Sequence, residues 1–427
     1  MTKYASYWHD GVPPFAGAEA GPVEGRFDVA VIGGGFTGLN AARSLAKAGV
    51  RVALLEAEHV GWGASGRNGG HLNNGIAHGY ADAKAHLGAE CAHALYRAYD
   101  RSIDMIEQIV AEEGIACDFR RSGKLKLASK PSHVAGLRAN FDLIHAEVDP
   151  DTRWLDRDEV RSEVGSDSFH GAMLYEKSAM MHMGRYAQGL ATAAHRHGAR
   201  IWEGAPVTGR TKLADGWQVQ TPRGSLTADR VIVATGAYGT TAPLRHFRRR
   251  IISVGSFIIA TRPLTKAEVA TTLPGDRTCV TSMNIGNYFR LSPDRRLIFG
   301  GRARFSARSD QTSDAKSGTI LRRSMAAIFP HLADIPIDYC WGGLVDMTKD
   351  RFPRAGEVDG MIYGMGYSGH GAQMSTLIGQ VLADIALGQR GTNPLEGLAW
   401  PAIPAHSGKP WFLPLVGLWF GLKDRLS

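Results

Sequence analysis

The stretch Asp28-Val29-Ala30-Val31-Ile32-Gly33-Gly34-Gly35-Phe36-Thr37-Gly38 decides the fold of the N-terminal part of this chain. Its first half is a mostly apolar run typical of a buried strand, and it runs directly into the pattern Gly33-x-Gly35-x-x-Gly38. Apolar residues then recur at helical spacing from Leu39 to Gly49, and Arg51–Glu56 again has the pattern of a strand. The sequence therefore predicts a strand–helix–strand unit at the start of the chain.

The three glycines of this pattern predict a dinucleotide site because of where they stand. The first permits a tight turn, the second lets the backbone approach a pyrophosphate, and the third lets helix and strand pack closely. Glu56 ends the next strand, where a carboxylate accepts hydrogen bonds from ribose hydroxyls and disfavours the 2′-phosphate of NADP. The candidate cofactor-binding residues of this unit are Gly33, Gly35, Phe36, Thr37, Gly38, Glu56 and Ala57.

Further glycine-rich segments favour FAD over NAD. The loop Gly61–His71 is rich in glycine and polar donors and suits a large phosphate-bearing ligand, although a flexible surface loop would show the same composition. A strand ends at Thr235-Gly236, and a later glycine-rich turn precedes a helix whose N-terminus would face a flavin carbonyl. The candidates here are Gly63, Ala64, Ser65, Arg67, Asn68, Gly69, Gly70, His71, Val207, Thr235, Gly236, Gly366, Tyr367, Gly369, His370, Gly371 and Gln373.

Strand and helix patterns along the chain predict two interleaved domains. Residues 26–80, 150–245 and 350–395 are assigned to a nucleotide domain, residues 81–149 and 246–349 to a second domain, and residues 396–427 to a tail. The predicted elements are a helical region near 81–113, a strand near 124–128, a helix at 184–197, a strand at 199–203, a hairpin of 217–221 with 225–228, buried strands at 230–234 and 360–365, a strand at 251–261, a hairpin of 287–291 with 296–301, and a helix at 374–387.

Composition excludes several classes of protein. With 427 residues, 44% hydrophobic and 21% charged, the chain is a globular protein of more than one core. The net charge is +8, but no nucleic-acid motif surrounds the densest basic run, Arg245–Arg250, which is interpreted as a solvated or ion-paired face. Four scattered cysteines, no metal-ligand cluster and no signal peptide indicate a cytoplasmic protein without a metal.

The C-terminal segment Trp411–Leu422 is apolar and is followed by Lys423, Asp424 and Arg425. It is shorter than the roughly 20 residues that cross a bilayer. Two interpretations stay open: the segment packs on its own domain or on a sister subunit, or it lies on a membrane surface with its tryptophans at the headgroups.

The chain resembles the D-amino-acid-oxidase superfamily of FAD-dependent oxidoreductases from about Tyr4 to about Arg425. Within that superfamily it is most similar to the bacterial gamma-glutamylputrescine oxidoreductase group and to L-pipecolate oxidases. The resemblance rests on Val31–Leu39, Gly61–Gly70, Tyr288–Ser292, Arg296–Gly301, Asp338–Gly343, Arg351–Gly356 and Gly366–Gly371. It implies a mixed α/β fold in which a glutathione-reductase-type Rossmann domain for FAD is interleaved with an antiparallel-sheet substrate domain.

The chain departs from its relatives at several positions. The group usually has glutamine at His71 and a proline after the histidine of His182-Met183-Gly184. Sarcosine oxidases carry a flavin-linked cysteine near Gly343 or Leu344, and its absence here implies noncovalent FAD; attachment through His71 is the alternative. Gln373 replaces the oxygen-activating lysine of those enzymes, so oxygen and quinone both stay open as electron acceptor.

The resemblance implies oxidation of a C–N bond in a small amine or amino acid, by hydride transfer to flavin N5 and hydrolysis of the resulting imine. Tyr288 and Trp341 are the expected cage walls, Arg290 the expected carboxylate anchor and His370 the expected group beside the flavin. Each has a plain alternative: core packing for the two aromatic residues, an exposed strand position for Arg290 and a backbone role for His370. A membrane-surface dehydrogenase and a noncatalytic FAD-binding subunit are the other hypotheses.

Overall fold

The computed structural model describes residues 1–77, 79–239, 245–304, 315–389, 391–408 and 410–426. The strands are β1 Arg26–Ile32, β2 Val52–Leu55, β3 His71–Leu72, β4 Arg120–Arg121, β5 Lys124–Leu127, β6 Arg153–Leu155, β7 Ala172–Tyr175, β8 Ala179–Met180, β9 Arg200–Trp202, β10 Gly209–Leu213, β11 Gly216–Thr221, β12 Gly224–Val233, β13 Ile252–Pro263, β14 Thr278–Thr281, β15 Tyr288–Leu291, β16 Arg296–Arg304, β17 Ile337–Met347, β18 Arg354–Val358 and β19 Met361–Met365. The helices are α1 Phe36–Lys47, α2 Tyr80–Leu87, α3 Ala89–Glu113, α4 Pro131–Glu147, α5 Arg157–Glu163, α6 Met183–Arg196, α7 Arg245–Arg248, α8 Lys266–Thr272, α9 Ala315–Ile328, α10 Gly371–Ala386 and α11 Leu413–Leu426.

The first sheet has a parallel centre. Its strand order is β10-β11-β12-β1-β2-β9, and β19 pairs in parallel with β12. Val31 of β1 lies between Ile232 and Leu54 on one face, and Ala30 lies between Val231 and Ala53 on the other, so the central strands are apolar on both faces. Helices α1, α6 and α10 cover the face of Val31 through one hydrophobic cluster. The face of Ala30 packs in a separate cluster with Trp202, Trp217 and Val219. The predicted strand–helix–strand unit is β1-α1-β2.

One strand differs from its prediction. The second strand of the expected hairpin and the expected buried strand at 230–234 are a single strand, β12. Its first part pairs antiparallel with β11 and its last part pairs in parallel with β1. The two expected strands were separated at Asp229, but this exposed residue forms an ion pair with Arg26 2.9 Å away and lies within the continuous strand.

The second sheet has the order β17-β13-β16-β15-β14-β5-β7-β6 and is antiparallel except between β14 and β5. One face packs on α5 and α9 in a separate apolar core that includes Leu125, Phe257 and Phe289. The other face turns toward the first sheet and its helices. Strands β6 and β7, which lie in the range 150–245 expected to belong to the nucleotide domain, pair in this second sheet. Helix α4 was not predicted.

Candidate functional site

The turn between β1 and α1 is shaped for close backbone approach. Gly33 has φ of +111°, and a Cβ there would lie 2.7 Å from the carbonyl oxygen of Ala234. A Cβ on Gly38 would overlap the carbonyl oxygen of Gly33. No side chain caps the N-terminus of α1, and its first turn holds no acidic residue. The helix dipole and the first-turn N–H groups are therefore open to an anion such as a pyrophosphate.

Glu56 lies at the end of β2, beside this turn. Its Oε2 accepts a hydrogen bond from the Gly34 N–H at 2.6 Å, and its Oε1 accepts one from the Glu58 N–H at 2.9 Å. Burial raises the pKa of Glu56, while the two backbone donors act in the opposite direction. The backbone thus orients the carboxylate at the place where the ribose of a dinucleotide lies in this fold. Ala57, next along the chain, is exposed.

The loop of residues 61–71 is internally ordered, unlike a flexible surface loop. The Asn68 amide donates to the carbonyl oxygens of Ala64 at 3.1 Å and Ser65 at 2.8 Å, and its Oδ1 accepts from the Gly70 N–H at 2.8 Å. The Ser65 hydroxyl accepts from the Phe36 N–H at 2.9 Å, which joins the loop to the start of α1. The predicted cofactor residues Gly63, Ala64, Ser65, Arg67, Asn68, Gly69, Gly70 and His71 therefore form one structural unit next to the α1 N-terminus.

Two of the four expected catalytic residues fasten this loop to the second sheet. The Trp341 indole is fully buried and donates to the Arg67 carbonyl at 3.0 Å. Arg290 is 1% exposed and donates from Nε to the Gly69 carbonyl at 3.1 Å and from a terminal nitrogen to the Met181 carbonyl at 2.8 Å. The Arg290 guanidinium is thus buried and holds main chain, and its expected role as the anchor of a substrate carboxylate stays a prediction.

Tyr288 stands on the inner face of the second sheet and stays half-buried. Its ring packs against Gly69, so closely that a Cβ added to Gly69 would lie 2.6 Å from the ring. Its hydroxyl lies 3.3 Å from the Ser256 hydroxyl. His71 meets the Tyr288 ring edge-on at 5.5 Å, and its Nδ1 lies 3.1 Å from the Gly69 carbonyl oxygen. Burial lowers the pKa of His71 to about 3, so the imidazole is neutral at physiological pH.

The turn that precedes α10 rests on a carboxylate that the sequence did not single out. Asp346 of β17 accepts the Gly366 N–H at 2.6 Å and the Tyr367 N–H at 3.3 Å. Burial raises the pKa of Asp346 to about 6. The Tyr367 hydroxyl lies 2.6 Å from the Thr37 hydroxyl, so the turn also reaches α1. A lone carboxylate within the otherwise apolar strand pattern of 340–347 was the available signal for Asp346.

His370 is the N-cap residue of α10, half-buried, with its ring 5.7 Å from that of Tyr99. Burial lowers the pKa of His370 to about 3. Gln373 donates to the Asn73 carbonyl at 2.6 Å, which ties α10 to the end of the 61–71 loop. The remaining predicted cofactor residues are Val207, Thr235, Gly236, Gly369 and Gly371. Val207 is half-buried, and Gly236 and Gly369 have positive φ angles of +51° and +91°.

Sequence reasoning also missed Tyr238. Its hydroxyl accepts the Leu344 N–H at 2.8 Å, and its ring meets Trp62 edge-on at 5.4 Å. It therefore links the strand end at Thr235 to both the 61–71 loop and the second sheet. No motif marks this tyrosine; its role appears only when the two sheets are brought together.

These residues fit FAD. The turn at Gly33 and Gly38 has no room for side chains, the α1 N-terminus is uncapped, and an oriented carboxylate lies at the ribose position. The ordered loop and the turn before α10 extend the site from this point toward the second sheet, farther than an adenine nucleotide requires. The residues that would hold the flavin end belong to that loop, to Thr235–Tyr238 and to Gly366–Gly371.

Comparison with known proteins agrees with this geometry. The family profile described as FAD dependent oxidoreductase matches residues 28–385. A probable oxidoreductase, OrdL, of Haemophilus influenzae is 34% identical over 382 residues, 88% of this chain and 86% of its own. The gamma-glutamylputrescine oxidoreductase of Escherichia coli is 32% identical over 406 residues, 94% of this chain and 93% of its own.

Solved structures show the same fold. The crystal structure of glycine oxidase from Geobacillus kaustophilus has a TM-score of 0.75 at 22% identity and covers 88% of this chain and 98% of its own. The predicted pairing of a Rossmann domain with a substrate domain is confirmed at the level of fold class. The chain belongs to the D-amino-acid-oxidase family of FAD-dependent oxidoreductases and is an enzyme whose cofactor is FAD.

Proposed function

We propose that the enzyme oxidises a C–N bond in a small amine or amino acid, of the gamma-glutamylputrescine, cyclic imino acid or N-alkyl amino acid type. The similarity to gamma-glutamylputrescine oxidoreductase carries the proposal, because it covers 94% of this chain and therefore includes the second sheet as well as the FAD-binding part. The substrate would lose a hydride equivalent and become an imine, which water hydrolyses. Oxygen would receive the two electrons and two protons as hydrogen peroxide.

Bound FAD supplies the hydride acceptor, and the chain's own residues supply position and electrostatics. His71 and His370 stay neutral above a pH of about 4, because burial lowers their pKa values to about 3. In this proposal His71, His370 and Tyr288 line the reaction centre, and none of the three side chains carries a charge there. The N-terminus of α10 at Gly371 adds a positive dipole end, which stabilises negative charge on a neighbouring carbonyl group.

Anaerobic mixing with a panel of amines tests the proposal. The panel contains polyamines, gamma-glutamylated amines, N-methyl amino acids, cyclic imino acids and D-amino acids. Loss of the visible flavin band with one class, followed by its return and peroxide formation on admission of air, is the expected result. If no member bleaches the flavin, the amine-oxidising function is wrong. Bleaching by any member excludes the noncatalytic subunit.

A second candidate function is a dehydrogenase that works at a membrane surface and passes electrons to quinone. Helix α11 favours it, because Leu415, Leu418, Trp419 and Leu422 are 50% or more exposed and lie at the spacing of one helix face. Lys423 and Arg425 stand at the end of this face, as in helices that bind anionic lipid. Asp424 points inward instead, and accepts the backbone N–H groups of Asn284 and Ile285, both at 2.8 Å.

None of the helices in the described part of the chain has the length and apolarity to span a bilayer. We propose the cytoplasm as the location, with peripheral membrane contact through residues 411–425 in the dehydrogenase case. Sedimentation with anionic vesicles, abolished by Leu418→Glu, together with flavin reoxidation by quinone but not by air, would favour the dehydrogenase over the oxidase.

A further inference from the structure

The exposed apolar side chains of the structure are concentrated near its C-terminal end. Of the ten large apolar side chains that are exposed among the described residues, six belong to this region: Trp411, Leu415, Leu418, Trp419, Leu422 and Leu426. Helix α11 carries five of them, all except Trp411. Contiguous apolar patches on a protein surface mark contacts with a partner or with a membrane. Helix α11 therefore presents an apolar face, formed by these five residues, that is suited to such a contact.

Basic residues border the apolar face on both sides. Successive residues of a helix are about 100° apart, so the five apolar residues lie within roughly 100° of the circumference of α11. On the same projection Lys423 lies beside one edge of the apolar face and Arg425 beside the other, and both are exposed. Asp424 lies on the opposite side and is buried. Helices that lie in a membrane interface have this arrangement, because their apolar side chains enter the acyl boundary while the cations meet anionic headgroups.

An anionic lipid surface suits the apolar face better than a second copy of the chain does. The chain carries a net charge of +8, so two copies repel each other, whereas an anionic surface attracts the protein. Trp419 belongs to the apolar face, and tryptophan is enriched at the headgroup level of membranes. Helix α11 has 14 residues, too few to cross a bilayer, so it would lie in the plane of the membrane.

The buried side of α11 holds the turn between β14 and β15. Asp424 Oδ1 accepts the Asn284 N–H at 2.8 Å and the Asn284 side-chain amide at 2.7 Å, and Asp424 Oδ2 accepts the Ile285 N–H at 2.8 Å. The Lys130 ammonium group donates to the Asp424 carbonyl at 2.5 Å, which joins the same residue to the start of α4. Hydrogen bonds to a carboxylate are stronger than those between neutral groups. The position of α11 therefore helps to fix the position of the turn.

The same turn leads directly into Tyr288. The Asn287 N–H donates to the Thr281 hydroxyl at 2.8 Å, and the Asn287 side-chain amide donates to the Gly300 carbonyl at 3.3 Å. The Tyr288 ring packs so closely on Gly69 and Gly300 that an added Cβ would lie 2.6 Å and 2.4 Å from it. Closely packed groups transmit small displacements. A shift of the turn would therefore move the Tyr288 ring against the 61–71 loop.

We propose that α11 lies on the surface of an anionic membrane, and that this contact orders the turn of residues 282–287 and positions Tyr288. A helix end that is free in water frays, whereas a surface that binds the helical form stabilises it. Membrane contact therefore strengthens the hydrogen bonds of Asp424 and raises catalytic efficiency. The docking of α11 holds for an oxidase as for a dehydrogenase, and its effect on catalysis rests on the proposed function.

Sedimentation with vesicles tests the docking. The FAD-loaded enzyme is mixed with vesicles of phosphatidylcholine alone or of phosphatidylcholine with phosphatidylserine. It should bind the anionic vesicles only, and more weakly at high salt. Leu418→Glu should abolish binding, while the matched control Leu213→Glu, at an exposed leucine of β10, should bind as the wild type does. Equal binding by Leu418→Glu would overturn the docking, and so would a dimer that Leu418→Glu disrupts in a protein that binds no vesicles.

Hydrogen exchange measures the effect on the turn without turnover. Amide exchange in a peptide that contains residues 282–287 should slow by about twofold to tenfold when anionic vesicles are added, the range that one hydrogen bond accounts for. Asp424→Asn leaves the apolar face unchanged, so it should still bind vesicles but lose this protection. Equal protection in Asp424→Asn, or no protection in the wild type, would overturn the link between α11 and the turn.

Steady-state kinetics measure the effect on the reaction. With an amine that bleaches the flavin, anionic vesicles should raise kcat/KM of the wild type by about twofold to tenfold and leave that of Leu418→Glu and Asp424→Asn unchanged. A turn that becomes ordered while kcat/KM of the wild type stays constant would overturn the effect on catalysis. If no amine bleaches the flavin, the proposed function fails, whereas sedimentation and hydrogen exchange still decide the docking and the ordering of the turn.

Discussion

The two sheets present their ligand-facing residues in different ways. At the carboxyl ends of β1 and β2 the site is main chain: glycines at 33 and 38 leave no room for a Cβ, and N–H groups point outward. On the inner face of the second sheet the site is side chain: the Tyr288 ring packs against Gly69, and the Trp341 indole donates to the Arg67 carbonyl. A site made of main chain tolerates almost no substitution. A site made of side chains changes its chemistry when any inward-facing residue of the strands is replaced, so we expect substrate specificity to vary through the second sheet.

Gly38→Ala tests the main-chain half and should have the largest effect. The new Cβ would overlap the Gly33 carbonyl oxygen, and neither backbone segment can move without separating α1 from β1. We expect loss of bound FAD and a free energy of unfolding lower by about 3 kcal/mol or more, since overpacking against backbone is not relieved by rotamer changes. The FAD-to-protein absorbance ratio and a denaturant titration measure both effects.

Gly136→Ala is the matched control. Gly136 lies in α4, where an added Cβ would have no neighbouring atom within 4 Å, and alanine favours helix there. The variant should keep FAD and be as stable as the wild type or slightly more so. A Gly38→Ala enzyme that remained yellow and stable would show that the turn is not held by close packing.

Arg290→Met tests whether Arg290, a side chain of the second sheet, stabilises the main chain at Gly69 and Met181. Loss of its guanidinium leaves the Gly69 and Met181 carbonyl groups without that partner in a buried place. We expect the free energy of unfolding to fall by about 1–3 kcal/mol and FAD to bind more weakly. Affinity for a carboxylate-bearing amine and for its primary amide should fall together, because the 61–71 loop moves for both.

Measurement of melting temperature, FAD retention and acid-against-amide binding distinguishes the two roles of Arg290. If stability and FAD retention were unchanged while only acid binding was lost, Arg290 would be the carboxylate anchor that the family pattern suggests, and the role assigned to its buried hydrogen bonds would be wrong.

Asp346→Asn tests a contact between the side-chain half and the main-chain half of the site. Asp346 belongs to the second sheet, yet both of its oxygens accept N–H groups of the turn before α10. An asparagine accepts only one of them through its oxygen and turns an NH2 group toward the other. We expect a loss of about 1 kcal/mol in unfolding free energy. A denaturant titration of the holoenzyme measures it; an unchanged midpoint would contradict the role.

The contrast between main chain and side chain also explains what the sequence predicted. Gly33, Gly35, Gly38 and Glu56 were found because a main-chain site leaves a fixed spacing of glycines in a local strand–helix–strand unit. Tyr238 and Asp346 were missed because their positions depend on contacts between segments distant in the sequence. Arg290 was found, but its hydrogen bonds to main chain were not predicted, because the partner residues Gly69 and Met181 are distant in the sequence.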